Sequence, residues 1–249
     1  MTTEPPTPVR TELVDAVATV TIDRQQRRNA LNLDALNALD DAVLTAVEAG
    51  ARAVVLTGAG DHFCAGADLT ELEDVAFTER LAEVLRMIAS LPVTTVAAIE
   101  GSCMGLGMQL AVACDLRVVA DSARFAVPVA RLGLMVDHWT LDRVARFWGE
   151  GAARLMVLTA AVLTSDDAWR LGFAQVRGDL GVAHTLAAAA VPLAPLSQSG
   201  SKIGFDAHVD NEDQARRYRE AFHAAWASED LAEGQRAFHE RRSPLFHAR

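Results

Sequence analysis

Two stretches of this sequence place backbone donors where chemistry could use them. VVLTGAGDHFCAGADL (54–69) runs from an apolar strand into small residues, and EGSCMGLGMQL (100–110) opens a helix on glycines. Small residues let a ligand approach the main chain, so Ala65, Gly66 and Ala67 can offer N–H groups at a bend. A helix N-terminus carries unpaired N–H groups and a partial positive charge. One donor from each stretch would make a site for a developing oxyanion. Two other readings stand beside this one. A strand followed by G-x-G matches part of a dinucleotide-binding loop, although Phe63 stands where the third glycine belongs. The glycines would equally serve tight turns and close helix–strand packing. Gln109 lies inside the second, apolar stretch, where a buried side-chain amide without partners costs about 1–3 kcal/mol.

The elements that position these residues follow from periodicity. AVATVTID (16–23) alternates and predicts a strand; residues 31–50 predict a helix with Leu36, Leu39, Val43 and Val47 on one face. RAVVLTG (52–58) predicts a buried strand. A helix follows at about 78–90, with Leu81, Val84, Leu85 and Ile88 facing inward. VTTVAAIEG (93–101) predicts a strand, 105–113 a helix and DLRVVA (115–120) another strand. The first half thus reads β-α-β-α-β-α-β, the pattern of an α/β layered core. Beyond residue 139 strands nearly vanish. Tyr218, Phe222 and Trp226 recur every four residues, a spacing commoner in packing faces than in ligand sites. SEDLAEGQRAF (228–238) opens a last helix, with Asp230 and Glu233 spaced as a capping box. The division expected is an α/β core over 9–190 and a helical region over 191–249.

Composition narrows the classes. The chain has 249 residues, 51% of them hydrophobic and 22% charged, with a formal net charge of -10. That is a well-packed globular chain without the basic face of a nucleic-acid binder. Lys202 is the only lysine. Three cysteines without a C-x-x-C pair argue against a disulfide framework and against a zinc site. The polar, proline-rich start lacks the pattern of a signal peptide, and the longest apolar stretch falls short of a membrane span. A cytoplasmic protein with no transmembrane segment, no metal and no resident cofactor is expected.

FCAGADL followed by EGSCMGLGMQLAVACDLRVVA, together with RRNALN (27–32), LTSDDAWRLGFAQ (163–175) and SEDLAEGQRAF, resembles the crotonase (enoyl-CoA hydratase/isomerase) superfamily. The resemblance runs from about residue 9 to Phe246. It implies a spiral of ββα units with a C-terminal helical trimerisation region, as a homotrimer or hexamer. It implies an acyl-CoA thioester as substrate or ligand, in fatty-acid or lipid metabolism. By position, the backbone of Arg28, Ala30, Ala65, Ala67, Asp68 and Leu69 would line the coenzyme A path. The oxyanion hole would be the N–H groups of Ala67 and Leu106, the latter in place of the family's usual glycine.

The family's hydratases carry one catalytic glutamate at the position of Gln109. A second follows a proline, where this chain has Val129 in FAVPVARLG. Hydration of an enoyl thioester requires an activated water and a proton for the α-carbon, which an amide and a valine do not supply. Some mycobacterial members with this pattern act as acyl-CoA-binding proteins linked to lipid synthesis. The resemblance therefore implies long-chain acyl-CoA binding without efficient hydration. The alternative is an enoyl-CoA isomerase, or another enolate enzyme, working through Asp137, where dienoyl-CoA isomerases of the family carry a catalytic aspartate. Facing an apolar pocket, that carboxyl would be desolvated. Asp137 also suits the N-cap of a helix starting near Trp139.

Overall fold

The computed structural model describes residues 7–70, 75–207 and 211–249. Its strands are β1 (Val9–Val14), β2 (Val17–Ile22), β3 (Ala53–Gly58), β4 (Thr94–Ile99), β5 (Ser102–Met104), β6 (Leu116–Val119), β7 (Arg124–Ala126), β8 (Leu163–Thr164) and β9 (Val176–Arg177). A six-stranded sheet runs in the order β1-β2-β3-β4-β6-β9, and β5-β7-β8 form a second, smaller sheet. Strands β2, β3, β4, β6 and β9 are parallel, and β1 closes one edge antiparallel to β2. The side-chain period of two sorts the sheet into two faces. Val20, Ile22, Val54, Leu56 and Ile99 point into the main core. Val17, Val55, Val96, Ala98 and Val118 point the other way, onto Ala183 and Ala187.

Ten helices complete the described chain. In the first part lie α1 (Leu33–Glu48), α2 (Val75–Ser90), α3 (Leu106–Ala113), α4 (His138–Trp148) and α5 (Glu150–Thr159). They are followed by α6 (Ser165–Arg170), α7 (Leu180–Ala190), α8 (Pro195–Asp206), α9 (Glu212–Trp226) and α10 (Glu229–Glu240). Helix α3 has no polar face: all eight of its residues are buried. Such a helix sits inside a core rather than on it. Helix α7 covers the second face of the sheet through its alanines.

Three expectations change. The polar start was not expected to form a strand, yet β1 pairs with β2 along its whole length. It reads as polar because five of its six residues face solvent on the sheet edge. The small sheet was also unforeseen, since strands of two or three residues carry no readable period. The proposed capping box of the last helix is replaced by another cap. Ser228 accepts from Leu231 N at 3.1 Å. Asp230 is buried and accepts from the backbone N–H groups of His247 and Ala248, so it fastens the tail rather than the helix start.

The C-terminal helices are fastened to the α/β layers by polar contacts. Lys202 on α8 donates to Val93 O and pairs with Asp115 Oδ2, each at 2.8 Å. Arg143 on α4 pairs with Asp206. Helices α8 and α9 lie against each other at Gly204, where an added Cβ would stand 2.7 Å from the Tyr218 ring. The expected aromatic stripe is not buried within the chain: Tyr218, Phe222 and Trp226 are 41%, 45% and 64% exposed. Among the described residues no single helix is long and apolar enough to cross a membrane.

Candidate functional site

The two donor stretches meet. Cys64 and Cys103 pair as an isolated parallel bridge, and Cys64 N donates to Ser102 O while Met104 N donates to Cys64 O. Gly107 then lets α3 close onto the first stretch: an added Cβ there would lie 2.2 Å from Cys64 O. Gly66, at φ +123°, makes the bend between Ala65 and Ala67.

The bridge Leu31–Ala67 decides which N–H groups are free. Leu31 N donates to Gly66 O and Asp68 N donates to Leu31 O, so the N–H of Ala67 points away from that pairing. Leu106 is the first residue of α3 and follows Gly105, whose own N–H donates to Ala126 O. Among the described residues no group accepts from the N–H of Ala67 or of Leu106. Both residues line a cavity of ≈ 340 Å³.

Its other walls are apolar. Phe77, Leu81 and Leu85 face it from α2, and Val129, Leu134 and Met135 from the segment before α4. Of the expected site residues, Ala65, Ala67, Leu69, Leu106, Gln109 and Asp137 all line it. Arg28, Ala30 and Asp68 are not among its lining residues. Their N–H groups are engaged within the chain: Arg28 with Gln25 O, Ala30 with Arg27 O and Asp68 with Leu31 O. Ala65 N also donates inward, to Arg28 O. Asp68 is buried, and its carboxylate accepts from Thr70 and pairs with Arg24 at 3.2 Å. The Thr70 hydroxyl, more than the two arginines nearby, holds that carboxyl below its ordinary range. Its place is to brace the donor loop.

Gln109 finds its partner on another helix. Its Nε2 donates to Thr140 Oγ1 at 3.0 Å, and Thr140 N donates to Asp137 Oδ1 at 3.0 Å. Thr140 is wholly buried, and nothing in the spacing of DHWTLD marks it as the partner. Asp137 caps α4 and also lines the cavity, so the two roles set against each other in the sequence coexist. The expected desolvation is absent: its carboxylate is 41% exposed and stands 3.5 Å from the Arg86 guanidinium. Among the described residues that line the cavity, only Asp137 carries a carboxylate. Among the described residues no group of three or more His, Cys, Asp or Glu side chains could hold a metal ion.

Comparison with known proteins agrees with this architecture. Residues 12–249 match the family described as Enoyl-CoA hydratase/isomerase. The chain is 40% identical over 233 residues to the "Probable enoyl-CoA hydratase echA6" of Mycobacterium bovis, covering 93% of this chain and 96% of that one. It is 32% identical over 241 residues to the "Short-chain-enoyl-CoA hydratase" of Clostridium acetobutylicum, covering 91% and 92%. The crystal structure of an enoyl-CoA hydratase from Bacillus anthracis superposes with a TM-score of 0.87 at 25% identity, over 97% of this chain and 100% of that one. With the sheet order, the two converging donor stretches and these matches in hand, the chain belongs to the enoyl-CoA hydratase/isomerase family.

Proposed function

We propose that this chain binds acyl-CoA thioesters and hydrates their enoyl forms poorly. The observation that carries the reading is the pair of free N–H groups, Ala67 and Leu106, on a cavity whose single lining carboxylate among the described residues is the α4 cap. Two donors converging on a thioester carbonyl hold it and stabilise charge that develops on its oxygen. Hydration additionally needs a proton donor and a base for water, each typically contributing roughly 10²–10⁴-fold. Gln109 gives its amide N–H to Thr140, and Val129 presents an alkyl group. The isomerase alternative would need Asp137 to exchange protons with the ligand while it caps α4 and pairs with Arg86. The binding reading asks nothing more of it.

The test follows loss of the enoyl absorbance of crotonyl-CoA with purified protein. Turnover of roughly 10 s⁻¹ or more, the range of ordinary enzymes, would overturn the proposal. Gln109→Glu combined with Val129→Glu should raise the rate. For the isomerase, Asp137→Asn should abolish solvent-deuterium incorporation into bound 3-enoyl-CoA. If neither wild type nor variant incorporates label, the binding reading stands alone.

A further inference from the structure

Helix α3 has the composition of a core helix, and one polar side chain interrupts it. Of its eight buried residues only Gln109 carries a polar side chain, and it is 7% exposed. A side-chain amide offers two N–H donors and an acceptor oxygen. One donor is spent, because Nε2 donates to Thr140 Oγ1 at 3.0 Å. Among the described residues nothing donates to Oε1. Nor is that oxygen sealed into the packing: among the described residues only the Trp148 indole N–H is both shut off from solvent and without a partner. Gln109 lines the cavity, so its unspent oxygen opens onto it.

The other polar side chains on the wall are committed elsewhere. The described lining residues include Thr78, Gln109 and Asp137, and the rest are apolar or glycine. Asp137 caps α4 and pairs with Arg86, and Thr78 is exposed. Leu69 and Met135 are exposed and mark the open side of the cavity, whereas Gln109 rests on the wholly buried Thr140 at its inner side. A volume of ≈ 340 Å³ does not hold a whole coenzyme A thioester, so the nucleotide leaves by the open side and the acyl part takes the inner one. Gln109 lies one helical turn after Leu106, and helical side chains lean back toward the N-terminus of their helix. Its amide therefore faces the acyl carbons next to the carbonyl that the Leu106 N–H holds, not the tail.

We infer that Gln109 reads a hydroxyl on the second or third carbon of the acyl group, so that the site prefers hydroxyacyl thioesters to plain saturated ones. The inference rests on the thioester reading above. A plain chain entering the inner side displaces water and leaves Oε1 buried without a donor, which weakens binding. A hydroxyl donates to that oxygen and removes the loss. One restored hydrogen bond of this kind is a factor of about ten in affinity. A carbon–carbon double bond brings no donor, so an enoyl chain gains nothing from Gln109.

The experiment is calorimetry with octanoyl-CoA, 2-hydroxyoctanoyl-CoA and 3-hydroxyoctanoyl-CoA, with both enantiomers of each hydroxy compound. Wild type should bind at least one hydroxy compound about tenfold more tightly than octanoyl-CoA. The readout for variants is the ratio of those two affinities, because a general change in the cavity moves both alike. Gln109→Leu removes the acceptor and should bring the ratio to about one. Gln109→Glu keeps an acceptor at the same place and should retain the preference. Wild type without a preference overturns the inference and leaves thioester binding intact, whatever the variants do to folding. A Gln109→Leu protein with an unchanged melting temperature and the wild-type ratio overturns the role of Gln109. Failure of wild type to bind any of these compounds overturns the proposed function itself.

Discussion

Replacing Gly107 by alanine would part the two donor stretches. The new Cβ would stand 2.2 Å from Cys64 O and 3.0 Å from Cys64 Cβ. Ordinary contact to a carbonyl oxygen is about 3.4 Å, so helix or loop must retreat by about 1 Å. Neither is free to do so: α3 is buried along its whole length, and Cys64 is held at both backbone groups by Ser102 and Met104. Overpacking a tight site of this kind costs about 1–3 kcal/mol. In a chain of this size each kcal/mol lowers the melting temperature by about 2–4 °C. The same displacement moves Leu106 N–H relative to Ala67 N–H, and a hydrogen bond lengthened by 1 Å is lost. Acyl-CoA affinity should then fall by about tenfold, as for one neutral hydrogen bond. Gly105→Ala is the control. Its Cβ meets nothing within 4 Å, but the residue sits at φ +51°. With ψ at -108° that conformation is one only glycine readily adopts, so the variant should show a backbone strain of about 1–3 kcal/mol and no steric displacement of Cys64. Differential scanning fluorimetry and calorimetry read both effects. Gly107→Ala with wild-type melting and wild-type affinity would refute the claim that this glycine sets the spacing of the donors.

Lys202→Met should destabilise the fold by about 2 kcal/mol, because it leaves Val93 O and the Asp115 carboxylate without their cation; chemical denaturation checks it. Asp167 closes the capping box of α6, and the Thr164 N–H and hydroxyl with Arg170 hold its carboxyl down to about 2. Its folded value lies below its unfolded one, so its contribution is complete above about pH 4 and is lost as pH falls toward 2. Asp167→Asn should therefore lower the melting temperature at pH 7 and leave it nearly unchanged at pH 2. In solution the chain should be a trimer or a dimer of trimers, because an exposed aromatic stripe of this kind marks an interface. Light scattering that finds a stable monomer of 26.7 kDa at micromolar concentration refutes that.

The parallel strands were legible because both faces of that sheet are buried, and long runs such as AVVLTG have few alternatives. The edge strand was not, because five of its residues face water and carry no apolar period. The donor loops could be found from their small residues and the family resemblance, but not which N–H groups were left free. That depended on the pairing of Leu31 with Gly66 and Asp68, contacts some 35 residues apart that leave no trace in local pattern. The face of α2 was readable as an inward stripe, though not as the wall of a cavity, since helical spacing does not distinguish the two. Thr140 and Arg86 were invisible for the same reason: each matters through a partner on another helix.

The bridge behind the donor loops turns two cysteines into reporters. Cys64 and Cys103 are fully buried beside Ala65 and Met104, and burial pushes the Cys64 thiol up to about 12. Only the thiolate is nucleophilic, so neither sulfur reacts while the loops are closed. Alkylation of these two residues therefore counts openings of that region rather than exposure of a surface group. A molecule seated on the Ala67 and Leu106 donors holds the same two strands together from the other side. Its occupancy is then written in the rate at which native protein takes up an alkylating reagent at Cys64 and Cys103, a clock that runs without any turnover.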